Sequence, residues 1–301
     1  MVMVPPLPEE VKFSSHAPVM LDTAGVPHHA LTTLLDRLLQ LMTRPTFTCR
    51  KMIRQGGKFY QKMPDGHKYV CLDAAVAPTP DSCLVYSFGV GGDLTFDRAM
   101  GQFGCEVLAF DDDPEHDAMK RYPFRGVTFL HILVSNNRDV RLVDWTEPSQ
   151  NSSFIVLSRP VDNIMLLLHH QTANIDLLKI DIDGPEFEVL EQSLFETHVL
   201  ERTRQLSIEV HLSALQTPVN SSTILASLTN YTRVLEGLES RGLRLVYYEP
   251  NYLKPTVISA AGRIISVYAE LVWVNIHLQA GTNISQWEPL DEDFDNLEMA
   301  E

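Results

Sequence analysis

From Cys83 onward, short apolar runs alternate with segments of helical period, and this alternation limits the fold more than any other feature. The runs are CLVYSF, CEVLAF, VTFLHILV, IDLLKIDI, QLSIEVHL, LRLVYY and VYAELVWVNI. Between them the spacing predicts helices over Leu94–Phe103, Pro114–Arg121, Val161–Gln171, Pro185–Glu196 and Ser221–Arg241. Near-continuous apolar strands suit a parallel sheet whose two faces are both covered. The expected fold is α/β, with a Rossmann-like, doubly wound, seven-stranded and mostly parallel sheet over residues 83–280. Gly104 and Gly242 stand where helix C-caps precede a strand, and Pro185 suits a first helical turn.

An extension precedes that block. Residues 1–45 read as a proline-rich arm followed by an amphipathic helix. Its stripe is Leu31, Leu34, Leu35, Leu38, Leu39 and Met42, closed by Pro45. Residues 46–82, with turn signals at Gly56–Gly57 and Asp65–Gly66, read as a loop-rich lead segment ending in a short strand near Tyr69–Leu72. Residues 281–301 read as an acidic, solvated tail.

The net charge of −15 argues against a nucleic-acid partner, which needs concentrated Lys and Arg. A small cofactor held by backbone N–H groups remains compatible with it. No stretch has the length of a membrane helix, so no membrane insertion is expected. The start, MVMVPPLPEEVKF, carries no basic region followed by an apolar block, hence no targeting segment within this chain. Cys49, Cys71, Cys83 and Cys105 have no CxxC spacing, and the first reading is four reduced, buried thiols. Oligomeric state is not readable.

In an open parallel sheet, ligands bind beyond the carboxyl ends of the strands. The expected ends are Phe88–Gly89, Phe110–Asp113, Val134–Asn136, Lys179–Asp183 and Glu209–His211. Gly89 and Gly91 allow a tight turn with bare backbone. Asp111, twenty residues beyond Gly91 and closing the next strand, is placed to accept from ribose hydroxyls. The third glycine of a dinucleotide fingerprint is replaced by Leu94, and Asp93 would repel a pyrophosphate. An NAD-dependent oxidoreductase is thus the weakest reading. S-adenosylmethionine, a phosphate-free cation, fits better. For removal of a proton from the acceptor, His211 is the natural base, with Asp181 and Glu209 beside it. Asp181, Asp183, Glu209 and His211 could instead hold Mg²⁺ or Mn²⁺. Lys179 is expected to point away. His28–His29 and His169–His170 read as helix-end residues.

VYSFGVGGDLTFDRAMGQFGCEVLAFDDDPE, DLLKIDIDGPEFEVL and QLSIEVH together resemble the FkbM-type S-adenosylmethionine-dependent methyltransferases, and within them the animal methyltransferase-like protein twenty-four group. The likeness spans residues 46–277. KIDIDGPE, similar to the family's K-I-D-x-E-G-x-E, is its most specific piece. It implies a cofactor turn from Phe88 through Gly89 to Gly91 and a ribose acid at Asp111, with Asp112 next to it. It further implies adenine contacts near Ser135 and Asn136, and an acid at Asp181. O-methylation of a small-molecule or sugar hydroxyl follows by the same likeness. The pattern is departed from twice: Ser87 and Phe88 stand where many methyltransferases carry an acid, and Asp183 replaces a glutamate. A catalytically silent binding module on the same fold is the alternative. The group's members carry cysteines at similar positions and often look exported. With four N-x-S/T sequons, at Asn151, Asn220, Asn230 and Asn283, this points to a secreted or lumenal setting as the alternative to an unassigned compartment.

Overall fold

The computed structural model describes residues 19–21, 23, 25–60, 63–112, 124–147, 150–216, 221–253 and 257–278. In chain order the elements are β1 (Val19–Met20), α1 (His28–Thr43), β2 (Met52–Tyr60), β3 (Met63–Cys71), β4 (Cys83–Phe88), α2 (Thr95–Phe103), β5 (Cys105–Phe110), β6 (Val127–Leu130), β7 (Ile132–Val134), β8 (Asp139–Glu147), β9 (Gln150–Arg159), α3 (Val161–Leu167), β10 (Ile175–Ile180), α4 (Glu186–Val189), β11 (Thr203–His211), α5 (Ser221–Ser240), β12 (Leu243–Pro250), β13 (Val257–Ala260), β14 (Arg263–Ser266) and β15 (Tyr268–Asn275). The helix expected over Pro114–Arg121 and the acidic tail lie outside the described residues.

Seven strands form the central sheet, in the order β12–β15–β11–β10–β4–β5–β6. β15 runs antiparallel to β11 and β12, and every other neighbouring pair is parallel. Because side chains alternate along a strand, each face collects its own set. On one face Tyr86, Phe88, Leu178, Ile180, Leu206, Ile208, Leu271 and Trp273 pack with residues of α1, α3 and α5 in a single apolar cluster. The α1 residues buried there are Leu31, Leu35, Leu38, Leu41 and Met42. Each such side chain contributes about 1.5–3 kcal/mol relative to exposure. Leu34 and Leu39, expected in that stripe, are only half-buried.

The other face is covered differently. The segment expected to be loop-rich is a β2–β3 hairpin lying against it, and the expected turns Gly56–Gly57 and Asp65–Gly66 sit inside its strands. Gly56 needs to be glycine because a Cβ there would lie 2.3 Å from the Phe96 backbone nitrogen at the start of α2. Val70 joins Val85, Val107 and Leu177 in a second cluster, and Cys71 joins Val272 and Val274 in a third. Gln205 of β11 pins the hairpin's end: it accepts from the Cys71 N–H (2.8 Å) and donates to the carbonyls of Cys71 (2.8 Å) and Val76 (2.9 Å).

The structure corrects further expectations. All four cysteines are paired, Cys49 with Cys71 (Cα–Cα 5.9 Å) and Cys83 with Cys105 (4.6 Å), spacings within disulfide reach. Cys83 and Cys105 are register partners on β4 and β5. The run VTFLHILV breaks at His131: β6 stays in the central sheet, whereas β7 joins β9 and β8 in a separate three-stranded sheet. The third central strand therefore ends at Leu130, not Val134. The helix expected to reach Gln171 ends at Leu167, and that expected over Pro185–Glu196 is α-helical only to Val189 before a π-helical stretch to Leu194. His170 is buried against Tyr86, whose hydroxyl lies 2.9 Å from Nδ1, and burial lowers its pKa. It is a core histidine, not a helix-end cation. The β8–β9 hairpin and the β13–β14 pair had no clear sequence signal.

Candidate active site

The glycine turn has two different glycines. At Gly89, φ is +74° and a Cβ would fall 1.6 Å from the Asp181 carbonyl oxygen. The requirement there is close contact between the ends of β4 and β10. At Gly91, φ is +57° and nothing lies within 4 Å of where a Cβ would be. Its bare backbone faces open space, and its N–H donates to Asp111 Oδ2 (2.7 Å). Asp111 Oδ1 accepts from the Asp112 N–H (2.7 Å), so the carboxylate is fixed at the strand end. The Phe88 side chain turns away and stacks on Phe110 at 4.6 Å in the apolar cluster. Asp112 is ion-paired with Arg141.

Beyond the strand ends lies a row of acids. In register, Glu249 of β12 faces Glu270 of β15, which faces Glu209 of β11. Asp181 follows β10 at the same level, its N–H donating to the Phe88 carbonyl (3.1 Å). Four neighbouring strands thus present carboxylates side by side, an arrangement that is destabilising without countercharge. The hairpin supplies it. Lys68 is buried, and its ammonium donates to Asp181 Oδ2 (2.9 Å) and to Glu270 Oε1. His67 Nε2 sits 2.9 Å from Glu249 Oε2. Lys179 also faces the rim, against expectation: two residues from Asp181, it shares its side of the strand. Its ammonium donates to the carbonyls of Phe88 (3.2 Å) and Gly89, 3.9 Å from Asp181 Oδ2.

The charges follow from that packing. Burial works against a charged Lys68, yet the Asp181, Glu270 and Glu209 carboxylates hold its pKa above the usual lysine value. Burial alone would raise Asp181, but Lys68 and Lys179 keep it below the usual carboxylate range. Glu209 is raised by burial and by Asp181. Glu270 is pushed up to about 8, by burial first, with Glu209 and Asp181 adding to it. Its Oε2 is buried without a hydrogen-bond partner. A small cleft opens beside it between Pro64–His67 of the hairpin and Glu249–Tyr252.

His211 holds the loop after β10. Its Nδ1 donates to the fully buried Glu186 Oε1 (2.8 Å), which also accepts from the N–H groups of Gly184 (2.9 Å) and Ile182 (3.2 Å). Nε2 lies 3.5 Å from Asp183 Oδ1, and Asp183 has φ +58°. Burial would lower the pKa of His211; the neighbouring Asp183 and Glu186 carboxylates push it up to about 10, so the imidazole keeps its proton at neutral pH. Ser135 and Asn136, following β7, lie off the central sheet. Ser135 Oγ accepts from the Asn137 N–H (3.2 Å), and Asn136 donates to Glu188 (2.8 Å).

A turn with bare backbone, an acid fixed at the next strand end and carboxylates over the fourth and fifth strands together form a rim suited to a nucleoside cation. The Methyltransferase domain family matches residues 32–254, nearly three quarters of the chain. The chain belongs to that family. Two curated relatives, both named probable methyltransferase-like protein 24, match over 200 residues: the rat protein at 31% identity and the human one at 32%. The match covers 62% of this chain and 49% of each relative, so the chain spans about half the length of the curated relatives it matches. Among solved structures, the plantazolicin methyltransferase BpumL in complex with SAH shows 11% identity and a TM-score of 0.29, over 64% of this chain and 76% of that one. A second BpumL complex, with a desmethylPZN analog and SAH, gives 10% and 0.29. Of the groups that build this methyltransferase-domain rim, sequence reading missed Lys68, Glu270, Asn251 and Glu186. A lone Glu inside VYAELVWVNI and a lone Lys before an apolar YVC were the available signals, since a charge in a buried strand demands a partner.

Proposed function

We propose that the chain is an S-adenosylmethionine-dependent methyltransferase of FkbM type that methylates a hydroxyl oxygen of a small molecule or sugar. The observation that carries this is the pairing of the bare Gly91 backbone with the Asp111 carboxylate, 2.7 Å apart at adjacent strand ends. Asp111 would accept from the ribose hydroxyls, and the backbone from Gly89 to Gly91 would pass beneath the nucleoside. The bound cofactor would supply a methyl group already activated on a sulfonium. The acid row suits that positive charge, with Asp181 ionised throughout the working pH range. For taking the acceptor's proton, Glu270, raised to about 8, lies nearer neutral pH than His211, raised to about 10. His211 then acts by fixing the Asp181–Glu186 loop through Glu186. The two disulfides and the four sequons favour an oxidising, secreted or lumenal setting.

Calorimetric titration with S-adenosylmethionine tests the reading. Saturable binding is expected in the wild type, and loss of binding with a native circular-dichroism spectrum in Gly91→Trp and Asp111→Ala. Absence of binding at millimolar cofactor removes the reading. Binding without formation of S-adenosylhomocysteine from any neutral hydroxyl acceptor favours the silent module, for which the pairing of Lys68 with Asp181 and Glu270 is the supporting observation.

A further inference from the structure

We propose that Asp181, Glu209 and His211 form a binding site for one divalent cation of the Mn²⁺ or Mg²⁺ type at the carboxyl ends of β10 and β11. One ligand atom from each of the three lies within 4.8 Å of the others. Two ligands on one ion at bonds of about 2.1 Å stand at most about 4.2 Å apart, so closing the site takes shifts of a few tenths of an ångström. Each side chain is anchored through its other polar atom. Asp181 Oδ2 accepts from Lys68 (2.9 Å), Glu209 Oε1 accepts from Asn251 Nδ2 (2.8 Å), and His211 Nδ1 donates to Glu186 (2.8 Å). The ends left over are Oδ1, Oε2 and Nε2. Such outer partners orient metal ligands and fix the histidine tautomer.

A second observation points the same way. His211 is 3% exposed, and its Nε2 is a buried atom without a hydrogen-bond partner, 3.5 Å from the Asp183 carboxylate. The carboxyls of Asp181 and Glu209 meant to share the ion lie side by side, with oxygens within 4.8 Å. Two acids so placed favour a proton or a cation between them. In the row from Glu249 to Asp181, Lys68 is shared between Asp181 and Glu270. One imidazole with two carboxylates suits Mn²⁺ best among hard divalent ions and accommodates Mg²⁺. The ion would take the place of the proton on Nε2. Its use in acidifying an acceptor hydroxyl rests on the function proposed above; its binding does not.

The test uses the full chain, stripped with EDTA and dialysed, with no methyl donor present. Titration with MnCl₂ is expected to show one ion per chain, saturating below about 1 mM. Electron spin-echo modulation of the wild-type complex is expected to show an imidazole nitrogen on the ion. Glu209→Gln should weaken binding at least tenfold and Glu186→Gln about 10–100-fold, while Asp36→Asn leaves it unchanged. No saturable binding at about 1 mM overturns the proposal. So does a bound Mn²⁺ without nitrogen coupling, or binding indifferent to Glu209→Gln, either of which marks an adventitious surface ion. The wild-type spectrum decides even where a variant fails to fold. S-adenosylmethionine binding, measured separately, stands or falls independently.

Discussion

The two faces of the central sheet are built on opposite principles. Under α1, α3 and α5 the strands present mostly apolar side chains, the buried Asp176–Arg204 pair being an exception, and the packing is generic. Under the β2–β3 hairpin the same strands present Ser87, Lys179, Gln205, Ser207, Glu209 and Glu270, all nine-tenths or more buried. A polar layer of that kind costs stability unless each group is matched, and here a separate element, the hairpin, brings the matching Lys68. One face holds the fold together. The other holds charges in place at the rim where a ligand would sit.

Substitution can break the contrast at its sharpest point. Lys68→Met leaves the buried Glu270 and the half-buried Asp181 without their shared cation and should cost about 3–5 kcal/mol in urea unfolding, with Lys68→Met/Glu270→Met recovering part of the loss. A single-variant cost under about 1 kcal/mol would show that the pairing is incidental. On the helical face, Leu38→Ala should cost about 3 kcal/mol by leaving a cavity, yet S-adenosylmethionine affinity should stay within twofold. A comparable loss, about 3 kcal/mol, is expected from Cys49→Ala/Cys71→Ala, which opens a loop of 22-residue separation at the hairpin's end. Thiol titration of native protein should find no free thiol.

The smallest effect is a pH dependence confined to the charged face. Glu270 rises from an ordinary 4.5 to about 8 on folding, so the folded state binds the proton more tightly. That contribution is complete below about pH 4.5 and lost as pH rises through about 8. His211, raised from 6.5 to about 10, contributes below 6.5 and loses its share toward 10. The melting temperature should therefore fall between pH 6 and 9, by on the order of 5 °C. Glu270→Gln should flatten the part below pH 8; an unchanged slope would place the titration elsewhere.

The same contrast explains what could be read in advance. The helical face was legible because periodicity alone records it: α1, β4, β5, β10 and β11 fall where the apolar runs put them. Asp181, Glu209 and His211 were legible as strand ends. The hairpin was not, because Gly56, Gly57 and Gly66 signal turns locally, whereas close contact of Gly56 with Phe96, of Gly57 with His67 and of Gly66 with Asp93 decides their place. Lys68 and Glu270 lie 202 residues apart, and only the folded register brings them together. Lys179 was misjudged although its two-residue offset from Asp181 already placed both on one face.

Hydrogen–deuterium exchange with and without saturating S-adenosylhomocysteine tests the central claim most directly. The account predicts new protection in Gly89–Asp93, Asp111–Asp112, Asp181–Gly184 and the hairpin around His67–Lys68, with α1 and α5 unchanged. Protection confined to the helical face, or none at saturating ligand, would contradict it.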